Sequence, residues 1–168
     1  NHDGTFKRVA GDDRKPSDMT LKQIKRLSVD GETVPTFEEM LISCRGRMVL
    51  FTELKGKTAD KKMAEDAVKI VRQYQMEDEV VLISLDYELI DYIETTYPEM
   101  ETGFLTFASA GKTAELNCDY IGLEEESATS AAMDSIHKEG KKVLVWTANE
   151  KGSQKQFLCT DIDGLITD

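Results

Sequence analysis

The sequence predicts an α/β fold assembled from parallel β/α units, and two features of its hydrophobic pattern lead to this prediction. Short apolar stretches of strand length alternate with longer stretches in which apolar residues recur at helical spacing. The short stretches are apolar throughout, which is typical of strands in a parallel sheet that is covered on both faces. With 168 residues, of which 40% are hydrophobic, the chain is long enough for one domain with a buried core.

The segment before residue 48 is predicted to form two short helices rather than a strand. MTLKQIKRL and TVPTFEEMLISC each contain a Thr that is followed three residues later by Gln or Glu, which is the spacing of a capping box. Thr20 pairs in this way with Gln23, and Thr36 with Glu39. We therefore expect helices to begin after Thr20 and after Thr36.

The β/α alternation occupies the rest of the chain. The predicted strands are MVLFTEL (48–54), VVLIS (80–84), GFLTF (103–107), DYIGLEE (119–125), KVLVWTAN (142–149) and DGLITD (163–168). The predicted helices are TADKKMAEDAVKIVRQYQM (58–76), the segment between Asp86 and Pro98, SATSAAMDSIHKEG (127–140) and KGSQKQFLCT (151–160). Two architectures fit this order: a doubly wound open sheet and a (β/α)₈ barrel, which requires eight strands and about 250 residues.

The composition argues against several classes of partner. With 21 Lys and Arg against 32 Asp and Glu, the formal net charge is −11. Nucleic acids and anionic membrane surfaces are bound through clustered basic residues, so neither is an expected partner. No stretch approaches the roughly 18 apolar residues of a membrane span. The three cysteines, Cys44, Cys118 and Cys159, lie far apart, and we expect buried thiols rather than a zinc cluster.

Polar side chains at the carboxyl ends of the predicted strands are the candidates for chemistry, because barrel active sites lie at that edge. They are Glu53, Lys55, Ser84, Trp146, Asn149, Thr167 and Asp168. Glu53 and Lys55 flank Leu54, so their side chains point to one face, where a carboxylate and an ammonium group can bind a divalent cation and an anion. A structural ion pair is the alternative.

The remaining candidates also have structural interpretations. Trp146, the single tryptophan, is either a core residue or an apolar wall for the carbon skeleton of a substrate. Asn149 is interpreted as a turn or helix-cap residue, Asp168 as a solvated terminal residue, and His137 as a solvated residue near a helix end.

Six short motifs follow one another along the chain. They are H-D-G-T-F-K-R (2–8), V-P-T-F-E-E-M-L (34–41), T-E-L-K (52–55), I-S-L-D (83–86), V-W-T-A-N (145–149) and D-G-L-I-T-D (163–168). In this order they resemble the glycerophosphodiester phosphodiesterase family, a group of metal-dependent (β/α)₈ barrels. Leu85 departs from the family's S-F-D pattern, and CDYIGLEEESAT resembles its membrane-associated bacterial branch. The resemblance covers essentially the whole chain.

This resemblance implies an incomplete (β/α)₈ TIM barrel with about six of the eight strands. The family's H-R-G and E-x-D motifs, which carry a first catalytic histidine and two metal-binding carboxylates, precede H-D and do not occur in these residues. We therefore expect one domain over residues 1–168 that lacks the N-terminal βαβ segment of a longer parent. We also expect little or no activity, and no tightly bound metal, in these residues alone.

The resemblance also implies a reaction and a set of residues that carry it. The reaction is hydrolysis of a glycerophosphodiester to glycerol 3-phosphate and an alcohol, with Mg²⁺ or Ca²⁺ as the metal and no other cofactor. His2 would be catalytic, Glu53 a metal ligand, and Lys55 and Trp146 substrate-binding residues. The partner would be this small molecule, and a homodimer through the open barrel edge is a further expectation.

Two other interpretations remain open. A short or degenerate barrel could act as a non-catalytic binding or scaffold module, and another phosphate-handling barrel could share the chemistry of the strand ends. The intact H-D, E-x-K and W-T-x-N elements disfavour a degenerate scaffold, which needs none of them together.

Overall fold

The computed structural model describes residues 2–56, 59–108 and 112–168. The chain divides into two compact units, Asn1–Arg45 and Gly46–Asp168. The single domain expected over residues 1–168 stays a prediction, because the compactness of each unit does not show whether the units fold independently. The predicted start of a helix at Thr58 lies outside the described residues.

The first unit contains short elements. They are the helices α1 (Lys7–Ala10), α2 (Leu21–Ile24) and α3 (Phe37–Cys44), the strands β1 (Ser28–Val29) and β2 (Glu32–Thr33), and a 3₁₀ turn at Pro16–Asp18. Both predicted capping boxes are confirmed: the Thr20 side chain caps α2 with Gln23, and the Thr36 side chain caps α3 with Glu39. In α3 the amide N of Glu39 donates to Thr36 Oγ1 at 3.2 Å, and the amide N of Thr36 donates to the Glu39 carboxylate at 2.8 Å.

The β1–β2 hairpin was not predicted from the sequence. It pairs Ser28 with Thr33 and Val29 with Glu32 in an antiparallel ladder. Asp30 and Gly31 form its turn with φ angles of 51° and 90°. Two consecutive left-handed residues are typical of a type I′ turn, for which Asp-Gly is a preferred sequence. The Asp-Gly dipeptide was therefore the signal that could have revealed the hairpin.

The second unit is a parallel sheet with helices between its strands. Its strands are β3 (Leu50–Glu53), β4 (Val80–Ser84), β5 (Glu101–Thr106), β6 (Tyr120–Glu124), β7 (Lys142–Trp146) and β8 (Gly164–Leu165). Its helices are α4 (Lys61–Tyr74), α5 (Tyr87–Thr96), α6 (Ser130–Lys138) and α7 (Lys151–Phe157), with 3₁₀ turns at Glu77–Glu79, Thr113–Glu115 and Glu125–Ser127. All six predicted strands are present, although β5 begins earlier and β8 is shorter than the sequence indicated.

The order of these strands distinguishes the two architectures left open by the sequence. The sheet runs β3-β4-β5-β6-β7-β8, so each strand lies beside the next one in the chain, and every pair is parallel. A doubly wound sheet reverses its strand order at a switch point, whereas a (β/α)₈ barrel adds strands in one direction. The sheet is therefore part of an α/β barrel, as predicted.

The helices begin and end where their side chains satisfy the terminal backbone groups. Asp60 caps α4 by accepting from the amide N of Met63 at 2.9 Å, and Asp86 caps α5 by accepting from that of Glu88 at 3.1 Å. The Thr129 side chain caps α6, and Gly140, with φ 75°, follows its end. Capping of this kind typically contributes about 1 kcal/mol to each helix.

The two faces of the sheet are packed by alternating residues of the same strands. On the face toward α5 and α6, Ile121, Leu123 and Val143 pack with Ile90, Met133 and Ile136. The opposite face, here called the inner face, is defined by Val81, Ile83, Leu105, Tyr120 and Leu144. β6 and β7 therefore contribute apolar side chains to both faces, which explains why these strands are apolar throughout.

Glycines on three strands make room for large neighbours. A Cβ at Gly122 would lie 2.5 Å from Leu105 Cδ2, and one at Gly164 would lie 2.7 Å from Leu144 Cδ2. At Gly103 the nearest atom would be Ile83 Cγ2, at 3.0 Å. Because contacts below about 3 Å force a neighbour to move, these positions are filled by side chains of the adjacent strands.

At the amino ends of the strands, a carboxyl pair surrounds the fully buried Thr102. Its backbone N donates to Asp119 Oδ2 at 2.9 Å, and its hydroxyl donates to the Glu94 carboxylate. Burial raises the pKa of Glu94, and the charge of Asp119 acts in the same direction, against the opposing hydrogen bond from Thr102. This cluster lies at the amino ends of the strands, whereas the predicted site lies at their carboxyl ends.

Three further expectations have different outcomes. Cys44 and Cys118 are buried as predicted, but Cys159 is exposed, because it follows the end of α7 and does not point into the core. In the part of the chain that the structure describes, no helix is both long and apolar enough to cross a membrane. The homodimer through the sheet edge stays a prediction.

Candidate active site

A cavity of about 230 Å³ opens at the carboxyl ends of β3 and β4. Its lining comes from the segments that follow these strands: Glu53, Leu54, Lys55, Gly56, Ala59, Ser84, Leu85 and Asp86. Gly56 has φ 86°, a left-handed conformation that glycine adopts without strain and that turns the chain away after Lys55. The edge predicted to carry the chemistry therefore does form a concave surface.

Glu53 and Lys55 face each other in this cavity. Lys55 Nζ lies 3.9 Å from Glu53 Oε2. The side chain of Lys55 is 38% exposed and that of Glu53 is 26% exposed. This confirms that the two side chains share one face of the strand. The separation is near the upper limit of an ion pair and both side chains are partly exposed, so the pair itself contributes little to stability. The ion pair that the sequence left as the alternative is therefore present, but it is a weak one.

Ser84, a third predicted strand-end residue, has a buried structural position. Its hydroxyl donates to the carbonyl O of Leu54 at 2.8 Å and accepts from the amide N of Asp86 at 3.1 Å. Leu54 is the residue between Glu53 and Lys55. Ser84 therefore fixes the backbone that carries the two charged side chains.

Trp146 ends β7 on the inner-face side of the sheet, where it packs against the cluster there. Its indole Nε1 donates to the carbonyl O of Gly122 at 2.9 Å. Phe107 lies beside it, with ring centroids 4.9 Å apart and an interplanar angle of 69°. Trp146 is thus a partly buried residue of the inner-face cluster that lies at the carboxyl end of β7. Sequence reasoning missed Phe107, which follows β5 and carries no motif.

Asn149 joins the segments that follow β7 and β8. Its Nδ2 donates to Asp168 Oδ2 at 2.8 Å, and its Oδ1 accepts from the amide N of Asp168 at 3.0 Å and from Thr167 Oγ1 at 3.2 Å. The interpretation of Asn149 as a cap is wrong, since Glu150 is the N-cap of α7. Asp168 is likewise a paired residue and not merely solvated.

His2 belongs to the first unit, where a short charged network holds it. Its Nδ1 lies 3.1 Å from Asp3 Oδ1, and Arg8 Nε donates to Asp3 Oδ2 at 2.7 Å. The hydrogen bonds from Arg8 and His2 lower the pKa of Asp3 to about 2. Because Nδ1 faces a carboxylate, a neutral ring carries its proton at Nδ1.

The other histidine of the sequence, His137, lies at the amino ends of the strands, away from the cavity. His137 Nε2 lies 3.0 Å from Asp163 Oδ2, and that carboxylate also accepts from the amide N of Val143 at the start of β7, at 2.7 Å. Burial opposes ionisation of Asp163, but these two hydrogen bonds outweigh it and lower the pKa. His137 is therefore paired rather than solvated, and its position excludes it from the cavity.

Glu53 has the right chemistry for the divalent metal that the resemblance implies, since Mg²⁺ and Ca²⁺ take carboxylate oxygens. Asp86, the other carboxylate of the cavity, is occupied in capping α5. Within residues 2–56, 59–108 and 112–168, no group of three or more His, Cys, Asp or Glu side chains is placed to hold a metal ion. Glu53 thus fits as one ligand, but the described residues do not form a complete shell.

Two curated relatives match nearly the whole of this chain. A glycerophosphodiester phosphodiesterase of Caldanaerobacter subterraneus subsp. tengcongensis is 23% identical over 186 residues, which cover 99% of this chain and 74% of the relative. One of Bacillus altitudinis is 22% identical over 184 residues, covering 99% and 75%.

A solved structure shares the fold. The structure of a phosphodiesterase of Oleispira antarctica, in complex with the product sn-glycerol-3-phosphate, matches with a TM-score of 0.85 at 22% identity, covering 99% of this chain and 74% of that one. The model of the glycerophosphoryl diester phosphodiesterase family matches residues 1–168. The chain therefore belongs to the glycerophosphoryl diester phosphodiesterase family.

Proposed function

We propose that the protein acts on glycerophosphodiesters, which are hydrolysed to glycerol 3-phosphate and an alcohol. The observation that carries the proposal is the Glu53–Lys55 pair, held 3.9 Å apart in a cavity at the carboxyl edge of a barrel-type sheet. Family membership over the whole chain supports the same reaction. A phosphodiester is an anion that resists attack, and this site offers a cation for its oxygens.

Each group has a distinct part in the reaction. Lys55 binds a phosphate oxygen as a point charge, and Trp146 packs against the carbons of the glycerol moiety. Glu53 is one oxygen ligand of a divalent cation, which would supply Lewis-acid stabilisation of the charge on phosphorus. No step is assigned through that cation, because the described residues do not complete its shell.

His2 is the proposed acid–base residue. The neighbouring hydroxyl of the glycerol moiety attacks phosphorus and loses its proton, the bond to the alcohol breaks, and the alcohol leaves with a proton. Water then opens the resulting cyclic phosphate to give glycerol 3-phosphate. His2, whose Nδ1 faces Asp3, is the residue that we propose exchanges one of these protons.

Product binding and turnover, measured side by side, test the proposal. We expect sn-glycerol 3-phosphate to bind, and Lys55→Ala to weaken binding by about tenfold, which corresponds to the loss of one charge-assisted contact. Because Glu53 alone holds a hard cation weakly, little or no turnover of glycerophosphocholine is expected at micromolar Mg²⁺ or Ca²⁺.

Controls separate this site from the overall charge of the chain. Glu101→Gln removes one negative charge at the amino end of β5 and should leave product affinity unchanged. Any metal-stimulated turnover should disappear in Glu53→Gln and fall by about 10²–10⁴-fold in His2→Ala. Failure of the product to bind, or turnover that survives the loss of Glu53, would contradict the proposal.

A further inference from the structure

Phe107 is a large apolar side chain kept in the open at the proposed active-site edge. It directly follows β5 and remains 64% exposed. Burying an aromatic ring stabilises a protein or a complex strongly, so an exposed ring beside Trp146 is available to contact a ligand. Its ring contacts the ring of Trp146 in an edge-to-face arrangement with a centroid separation of 4.9 Å.

Hydrogen bonds hold the backbone of Phe107 and the indole ring of Trp146. Ser127 Oγ donates to the carbonyl O of Phe107 at 2.7 Å, so the backbone of Phe107 is tied to the segment that follows β6. Trp146 is tied to the carbonyl O of Gly122 on β6 at 2.9 Å, and the glycine leaves room for the indole. The two rings form a corner with an interplanar angle of 69°.

The corner faces the same side of the sheet as the charged pair. Leu105 lies two residues before Phe107 and belongs to the inner face, and Trp146 packs on the same cluster. Side chains two apart in a strand point to one face. β3, which carries Glu53, lies two strand spacings from β5, about 10 Å along the sheet, and β7, which carries Trp146, lies two spacings beyond β5. Phe107 therefore lies between the charged pair and Trp146 along the sheet.

We propose that Phe107 is a specificity-determining residue that forms, with Trp146, an aromatic corner for the three-carbon skeleton of the glycerol moiety. This inference rests on the proposed function, in which Lys55 holds the phosphate. The C–H groups of the glycerol moiety face the two rings, and its hydroxyl groups face water and the Glu53–Lys55 pair. Ligands that have a phosphate but no carbon skeleton gain nothing from the corner.

The test compares two ligands that differ only in this skeleton. Titrations of the 168-residue chain with sn-glycerol 3-phosphate and with inorganic phosphate are followed by the fluorescence of Trp146, the single tryptophan. Saturation-transfer NMR then reports whether the C–H protons of the ligand lie against aromatic rings. We expect Phe107→Leu, which keeps an apolar side chain and removes the ring, to weaken glycerol 3-phosphate by about 3–10-fold. Phosphate affinity should not change.

Matched variants keep the result interpretable. Phe107→Tyr retains the ring and should bind as the wild type does. Leu158→Ala removes another apolar side chain that is 69% exposed, at the end of α7, and should have no effect on either ligand. Because Phe107 is exposed, its variants should fold, and thermal melting checks this.

The possible results test the role of Phe107 separately from the proposed function. Equal affinity of the wild type for both ligands, or equal weakening of both by Phe107→Leu, would overturn the aromatic corner. Phosphate affinity that is unchanged in Lys55→Ala would count against the proposed function. The comparison of the two ligands in Phe107→Leu can still be interpreted by itself in that case.

Discussion

Replacing Gly122 by alanine tests how tightly the inner face is packed beneath Trp146. The new Cβ would lie 2.5 Å from Leu105 Cδ2 and 3.4 Å from Trp146 Cδ1. Leu105 is buried, so its methyl group has to move into filled space, and overpacking of this kind costs about 1–3 kcal/mol. For a chain of this length, each kcal/mol corresponds to a decrease in melting temperature of roughly 2–4 °C.

Urea unfolding, followed by circular dichroism and by Trp146 fluorescence, measures this cost. The control is Gly152→Ala in α7, where a Cβ would meet nothing within 4 Å. Alanine is the better helix former by about 1 kcal/mol, so this variant should be as stable as the wild type or more stable. The same substitution is thus expected to act with opposite signs at the two positions.

A second change identifies the cause. Leu105→Val removes the methyl group that the new Cβ would strike, so the double variant should be more stable than the sum of the single effects predicts, by at least about 0.5 kcal/mol. Additive effects would show that the clash is not with Leu105. A Gly122→Ala protein as stable as the wild type would refute the packing argument altogether.

Three further predictions concern other parts of the second unit. Ser84→Ala leaves a buried carbonyl without its donor and should cost about 1–3 kcal/mol in urea unfolding, whereas no loss would contradict the anchoring role. The folded-state pKa of Glu94 lies above its ordinary value of 4.5, so the folded protein retains a proton and wild-type stability falls as pH rises from 4.5 through the folded-state pKa. Glu94→Gln should abolish this fall, so the urea midpoint of the variant should rise relative to that of the wild type between acidic and neutral pH. Parallel pH profiles of the two proteins would refute the raised pKa of Glu94. Burial raises the pKa of Cys118 to about 11, so exposed Cys159 should react first with a thiol reagent, and Cys159→Ser should remove the fast phase.

The sequence by itself determined the strands and helices of the second unit and the two capped helices α2 and α3 of the first. The helix starts at Thr20, Thr36 and Asp86 were predictable because a cap and its partner lie within a few residues of each other. The facing of Glu53 and Lys55 was predictable because side chains alternate along a strand. These are local rules, and tertiary packing did not override them.

The tertiary structure decided which distant residues meet. The sequence did not show that the Ser84 hydroxyl turns to the carbonyl of Leu54, since that contact depends on the register of β3 against β4. Nor did it show that Phe107 rests on Trp146, because the strands that carry them are two apart in the sheet and far apart in the chain. A one-residue shift in register would turn either side chain to the other face. Local periodicity thus specifies a strand and its two faces, whereas the neighbour of each side chain is specified only when the strands pair.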